Sequence, residues 1–406
     1  MYNSLNRTTY RPPVTTLRQR PIAAVRGRQS AITHRTTQRT QAISYKPLAP
    51  MSRRPMLALL IAAHNEELVL ENTIRSAIRS GMDKRHIYVV DDNSTDATSV
   101  IARRLLGPNN VLKVGRSGKG LALTKASKHF QLTRRYRWIH IADADGAFSP
   151  DYFKLFRKSL RVKYAAATGF VRSLPGGPVS QYRVLEYTLG QEIHRRFQAL
   201  THTVTVIPGP TSCFRADVFR KVDFANKSIT EDFDVTLQIH RKKLGKIQFI
   251  PQAVAYTQDP RDLKDFTKQI TRWNRGVLQG VRRHKIGTHF NRIDAYLSYQ
   301  VLQNLWFFGS YFILLPYIAI SRHTPAAVAV TFLYDVLITL ALTLAVAGRT
   351  GRYDILAAFP NIYAYRFVSL YVFLKSFVEI FILQKFKVSD GVWSTEGRRY
   401  KPTVNV

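Results

Sequence analysis

Acidic residues are scarce in this chain: 26 Asp and Glu stand against 61 Lys and Arg, a formal net charge of +35 over 406 residues. That imbalance implies an anionic partner, whether nucleic acid, a phospholipid surface or a phosphorylated substrate. Cysteine is almost missing. The single Cys213 excludes an intramolecular disulfide and fits a reducing compartment. The first 50 residues contain no apolar h-region, so no signal peptide is expected. No acid occurs before Glu66, and residues 1–54 hold eleven Lys or Arg. Such a composition cannot bury enough apolar surface to fold, so 1–54 reads as a disordered basic arm. A Walker sequence is also lacking: "GRSGKG", 115–120, is too short for G-x-x-x-x-G-K-[ST]. Lys119, between two glycines, remains able to neutralise phosphate.

Beyond the arm, short apolar runs alternate with helical patterns. "MLALLIAAHNEE", "HIYVVDDNSTDAT", "NVLKVGRSGKG" and "YRWIHIADADG" read as strands that end in polar residues. "ELVLENTIRSAIRSG", "ATSVIARRLL" and "LALTKASKHF" read as the helices between them. This alternation predicts an α/β unit over 55–290, with a parallel sheet covered on both faces and its ligand at the carboxyl ends of the strands. Two uncharged or nearly uncharged runs follow, 295–320 and 325–348, the second interrupted by Asp335 alone. Each is long enough to cross a bilayer, which takes about 20 residues of helix, so 291–348 reads as two transmembrane helices. The last part, 349–406, is broken by Pro360, Arg366, Lys375 and Glu379. It reads as an interfacial or re-entrant hairpin with a basic tail. Basic residues cluster before the first span and after the second, which places the catalytic region in the cytosol and 321–324 outside.

The informative residues fall at strand ends. Asp143 and Asp145 in "HIADADGAF" point to one side of an extended segment, and paired carboxylates suit a hard divalent cation that also takes phosphate oxygens. Solvated loop aspartates are the plainer alternative. Asp91 and Asp92 end another strand, where an Asp accepts from a nucleobase or ribose, or else caps a helix. "TEDFD", 230–234, holds three acids, one of which could act as a general base. "KQITRWNRG" supplies Gln269, Arg272 and Trp273: an Arg pairs with a diphosphate in a forked geometry, and a Trp stacks on a sugar face. The alternative for this stretch is an amphipathic basic helix lying on the membrane.

Together these segments resemble the membrane-embedded processive members of glycosyltransferase family 2, the group of the cellulose, chitin, hyaluronan and poly-N-acetylglucosamine synthases. "IAAHNEE", "VVDDNSTDAT", "GKGLAL", "ADADG", "GPTSCFRADVF", "TEDFD" and "QITRW" occur in family order over roughly 57–320, with weaker similarity in "VWSTEGR" at 392–398. The resemblance implies a GT-A (Rossmann-like) catalytic domain followed by C-terminal transmembrane helices. It also implies a nucleotide-sugar donor, commonly a UDP-sugar, with Mg²⁺ or Mn²⁺. Ala63, Asn65, Glu66, Asp91, Asp92, Lys119, Asp143, Gln269, Arg272 and Trp273 would bind the donor, and Asp143 and Asp145 the metal. Cys213, Glu231 and Trp273 would meet the acceptor, and Asp232 would be the catalytic base of an inverting transfer. The implied acceptor is a glycan, lipid or protein, and the implied location an integral membrane position in the plasma or inner membrane. A nucleic-acid partner is not expected, and an oligomer is left open. Relatives generally carry a membrane helix ahead of the catalytic domain. Here the basic arm stands in that place, where it is expected to hold the domain to anionic lipid. A processive β-linked polysaccharide synthase is the first reading. A membrane enzyme adding one or few sugars is the second, and a non-enzymatic basic binder the remote third.

Overall fold

Hydropathy alternation is resolved by a single sheet. The computed structural model describes residues 56–225 and 228–385. The basic arm 1–54 and the segment 392–398 with its basic tail lie outside the described residues. The strands are β1 (Leu57–Ala63), β2 (Ile87–Asp92), β3 (Val111–Val114), β4 (Trp138–Asp143), β5 (Ala147–Phe148), β6 (Tyr164–Ser173), β7 (Ser212–Arg215) and β8 (Lys246–Thr257). They are ordered β3-β2-β1-β4-β7-β6-β8-β5. The β3-β2-β1-β4 half is parallel, as expected. The other half is mixed, because β7 runs antiparallel to both β4 and β6 while β6 and β8 are parallel. The expectation of a parallel sheet is therefore corrected for that half. β7 is only four residues long, too short to show a period that would reveal its direction.

Helices α1 (Leu70–Arg79) and α2 (Thr98–Leu106) follow β1 and β2, and α3 (Lys119–His129) and α4 (Leu132–Arg135) follow β3. Then come α5 (Tyr152–Ser159), α6 (Pro178–Leu189), a π-helical turn at Gly190–Arg195, α7 (Arg196–Thr201), α8 (Ala216–Phe219) and α9 (Glu231–Arg241). Every residue of β1 is buried, because helices cover both faces. Leu57, Leu59 and Ile61 enter the core beside α1 and α5, whereas Ala58, Leu60 and Ala62 enter the one beside α3, the alternation a strand requires.

After β8 the chain forms α10 (Leu263–Arg283), α11 (Arg292–Gly309), α12 (Leu315–Ser321), α13 (Pro325–Thr350), α14 (Asp354–Ala357) and α15 (Phe359–Phe377). Asp262 and Asn291 cap α10 and α11, each side chain accepting the amide three residues on. Two helical stretches, Arg292–Ser321 and Pro325–Thr350, are long and apolar enough to cross a membrane. Both ends of the following segment rest on the α/β unit. Gln181 donates to the Asp354 carbonyl at one end, and Arg275 pairs with Glu379 at the other. Between them, Arg366 forks onto Asp335 of α13 (3.2 and 3.3 Å) and reaches Thr339.

Candidate active site

The strand ends converge as the register dictates: Ala63 lies beside Asp91, and Ala62 beside Asp143. The two Asp92 oxygens accept the Ser117 amide (2.7 Å), the Ser117 hydroxyl (2.9 Å) and the Gly118 amide (2.8 Å). Gly118 has φ +81°, a conformation that favours glycine. The turn so fixed delivers Lys119 at the start of α3. Its ammonium bridges Asp143 (2.7 Å) and Glu231 (2.6 Å). A Cβ on Gly209 would lie 2.7 Å from Asp143 Oδ2 and 2.9 Å from the lysine nitrogen, so the turn that leads into β7 must begin without a side chain.

The electrostatics follow from enclosure. Burial alone would lower the Lys119 pKa, but Asp143 and Glu231 outweigh it and hold the ammonium charged. Burial likewise favours protonation of Glu231, and Lys119 overrides it to keep the carboxylate ionised. Among the described residues no cation pairs directly with Asp232, whose Oδ1 accepts the Phe233 amide. Burial and the neighbouring Glu231 charge push it up to about 6. Burial lowers Arg195, at the end of the π-helical turn, to about 10, with the charge of Asp232 opposing. Asp234, the third acid of the motif, faces away. It accepts from His284 and Gln238 and pairs with Arg283. His140, in the same strand as Asp143, is a core residue: its Nε2 meets the Tyr152 hydroxyl at 2.9 Å among aromatic rings, and burial drops it to about 3.

A cavity of about 2060 Å³ gathers most of the expected residues: Glu66, Lys119, Asp143, Asp145, Glu231, Asp232, Gln269, Arg272 and Trp273 all line it. It continues between α11, α13 and α15 as far as Asp335 and Arg366. Helix α10 closes one side. A Cβ at Gly276 would fall 2.3 Å from the Thr230 hydroxyl, and one at Gly280 2.7 Å from the Phe233 ring. This glycine seam lets the Gln269–Trp273 turn lie against the start of α9.

The other expected residues lie off the cavity surface. Cys213 has no exposed surface; it sits inside β7, opposite His140 of β4, away from the residues that line the cavity. Ala63, Asp91 and Asp92 are also wholly buried, and Asp91 accepts from the Ser94 amide. They frame the strand ends and do not open onto the cavity. Asn65 accepts from the Thr95 amide and hydroxyl and likewise shapes the adjoining turn. Sequence reasoning missed Arg183 and Arg195, which the α6–α7 stretch brings to the cavity lining, with Arg195 in reach of the Asp232 charge. "QYRVLEYTLGQEIHRRF" carries only the pattern of a basic helix.

Asp143 and Asp145 are hard oxygen donors. Among the described residues no third His, Cys, Asp or Glu joins them to make a metal cage. A pair is nevertheless the set Mg²⁺ uses when substrate phosphates and water supply the remaining positions, so the residues fit a divalent cation that arrives with a diphosphate.

The family profile described as "Glycosyltransferase like family 2" matches residues 55–276. A probable glycosyltransferase of Bacillus subtilis (strain 168) is 25% identical over 237 residues, 56% of each chain. The poly-beta-1,6-N-acetyl-D-glucosamine synthase of Staphylococcus aureus (strain COL) is 24% identical over 274 residues, 65% of each chain. The chain thus spans between about half and two-thirds of these relatives' length. A mannosyltransferase of Pyrobaculum calidifontis, solved in complex with GDP-Man and Mn²⁺, superposes with a TM-score of 0.50 at 16% identity, over 84% of this chain and 92% of that one.

Proposed function

The chain belongs to the glycosyltransferase-like family 2, on a GT-A fold followed by two helices apolar enough to span a membrane, and from that premise we propose that it moves a sugar from a nucleotide-sugar, a UDP-sugar by preference, to an acceptor hydroxyl with inversion. The observation that carries this is the pairing of an enclosed carboxyl near pKa 6, Asp232, with the Lys119–Asp143–Glu231 cluster in one cavity. Asp232 takes the acceptor proton as the acceptor oxygen attacks C1. The C1–O bond to the diphosphate breaks on the opposite side, and its electron pair leaves with the diphosphate. Lys119 and Arg272 face the leaving group and stabilise its charge. A divalent cation on Asp143 and Asp145, Mg²⁺ or Mn²⁺, would supply further neutralisation of the diphosphate. Trp273 offers a ring face to the sugar.

Acceptor access follows the cavity toward α11, α13 and α15. A growing β-linked polysaccharide is the primary reading, supported by the likeness to the S. aureus synthase. Transfer of one or few sugars to a lipid or protein is the second, with a lipid favoured by a cavity that ends among apolar helices at Arg366 and Asp335. Incubation with a panel of UDP-sugars, followed by nucleotide release and product size, tests both. Long products support the first and single additions the second. No nucleotide release with any nucleotide-sugar refutes both. In the active case Asp232→Asn should retain donor binding and lose transfer by about 10²–10⁴-fold.

A further inference from the structure

The Gln269–Trp273 turn is held from behind by an arginine that no motif marks. Arg183 of α6 is 1% exposed. Its Nη2 donates to Gln269 Oε1 (2.8 Å), and its Nη1 pairs with Glu186. The guanidinium carbon stands 4.7 Å from the ring centroids of both Phe266 and Trp273, and 5.4 Å from that of Tyr187. Phe266, Gln269 and Trp273 are spaced i, i+3, i+7, so they form one face of α10. Glu186 and Tyr187 are the i+3 and i+4 neighbours of Arg183 on α6. One planar cation therefore grips a whole helical face.

Burying a guanidinium is costly, and an apolar side chain of the same volume often packs there with equal or greater stability. What an apolar residue cannot do is fix rotation, because it has no directional bond. Lysine cannot either: it is a point charge without a planar fork, and it stacks poorly. The rotation matters because Arg272 is the next residue round the helix from the gripped face. Arg272 lines the cavity, and its charge reaches Glu231 and Asp232.

We propose that Arg183 is a positioning residue, which sets the rotation of α10 about its axis and so aims Arg272 and Trp273 at the reacting groups. This rests on the glycosyltransferase reading for its kinetic consequence but not for its geometric one, so the test has both arms. The full chain in lipid nanodiscs is compared as wild type, Arg183→Lys, Arg183→Met, Gln269→Ala and the Arg183→Lys/Gln269→Ala double variant. The geometric arm is acrylamide quenching of Trp273, isolated by subtracting the matching Trp273→Phe protein. Arg183→Lys should raise its quenching at least about twofold without losing the folded melting transition. The kinetic arm is transfer under the donor that wild type uses. For Arg183→Lys, kcat should fall about 10–100-fold, the scale of a small misplacement of catalytic groups, with a smaller change in donor KM. The double variant should be no slower than the slower single one, since both break the same grip. Unchanged Trp273 quenching in Arg183→Lys overturns the proposal, as do multiplying losses in the double variant. Should Arg183→Met fail to fold, Arg183→Lys and Gln269→Ala still decide. Absence of any transfer by wild type would sink the glycosyltransferase reading and leave the quenching arm to judge Arg183 alone.

Discussion

Asp232 and Lys119 are the side chains whose roles can be separated one substitution at a time. As the proposed base, Asp232 would have to be ionised to accept a proton, so kcat/KM should rise about tenfold per pH unit up to about 6 and level off above it. Glu231→Gln removes the neighbouring charge and should move that inflection down, which a pH–rate profile reads directly. Stability has the opposite slope. The folded carboxyl binds its proton more tightly than the unfolded one, whose ordinary value is 3.8. The contribution is present below 3.8 and lost as pH climbs through about 6, and Asp232→Asn should flatten that part of the melting profile. Lys119 neutralises Asp143 and Glu231, the first of which belongs to the proposed Asp143–Asp145 cation pair. Lys119→Met leaves those carboxylates without their counter-charge, so the donor-free variant should bind Mn²⁺ at least about tenfold more tightly than wild type, from the added Coulomb attraction of two unpaired acids. Electron paramagnetic resonance of free Mn²⁺ measures this, and equal affinities would show that Lys119 does not compete for the site.

At the scale of elements, the glycine seam between α10 and α9 is the most exposed to test. Gly276→Ala drives a methyl into Thr230, the first residue of the TEDFD motif. It should cost about 1–3 kcal/mol by overpacking and slow transfer by displacing Asp232. Gly348→Ala in α13 is the contrast, since nothing lies within 4 Å of the added atom. There alanine should stabilise by roughly 0.5–1 kcal/mol through helix propensity alone. Thermal unfolding and transfer rate of the two variants, side by side, check both expectations. The sequence made the parallel half-sheet and the strand-end acids legible because continuous apolar runs stop abruptly at "HNE", "DDNS" and "DAD". It left Arg183 and Arg195 hidden because their chemistry depends on which helix the fold lays across the cavity. The placement of Cys213 was hidden for a related reason. A motif marks a segment, but in a four-residue strand alternate side chains point to opposite faces, and this one points into the core. Asp92 shows a further limit: its neighbours in space, Ser117 and Gly118, are what consume its carboxylate.

For the whole molecule, we propose two crossings with 321–324 outside, a reading supported by the two apolar helices and their basic flanks. Because Cys213 is buried, the native chain offers no accessible thiol among its described residues. Ser321→Cys should then label with an impermeant maleimide from outside, and Thr350→Cys should not; the reverse pattern inverts the topology. The glycine seam has a mechanical consequence at this scale. Helix α10 is pressed on the acid motif at one face and leads, after eight residues, into a helix long enough to span a bilayer. A bilayer thinner or thicker than that helix would change its tilt, and the seam would carry the change toward the acid motif. Catalytic rate should therefore vary with acyl-chain length in nanodiscs, and a Gly276→Ala protein, its seam already forced apart, should lose that dependence. The membrane would then act on the reaction as a thickness gauge as well as a support.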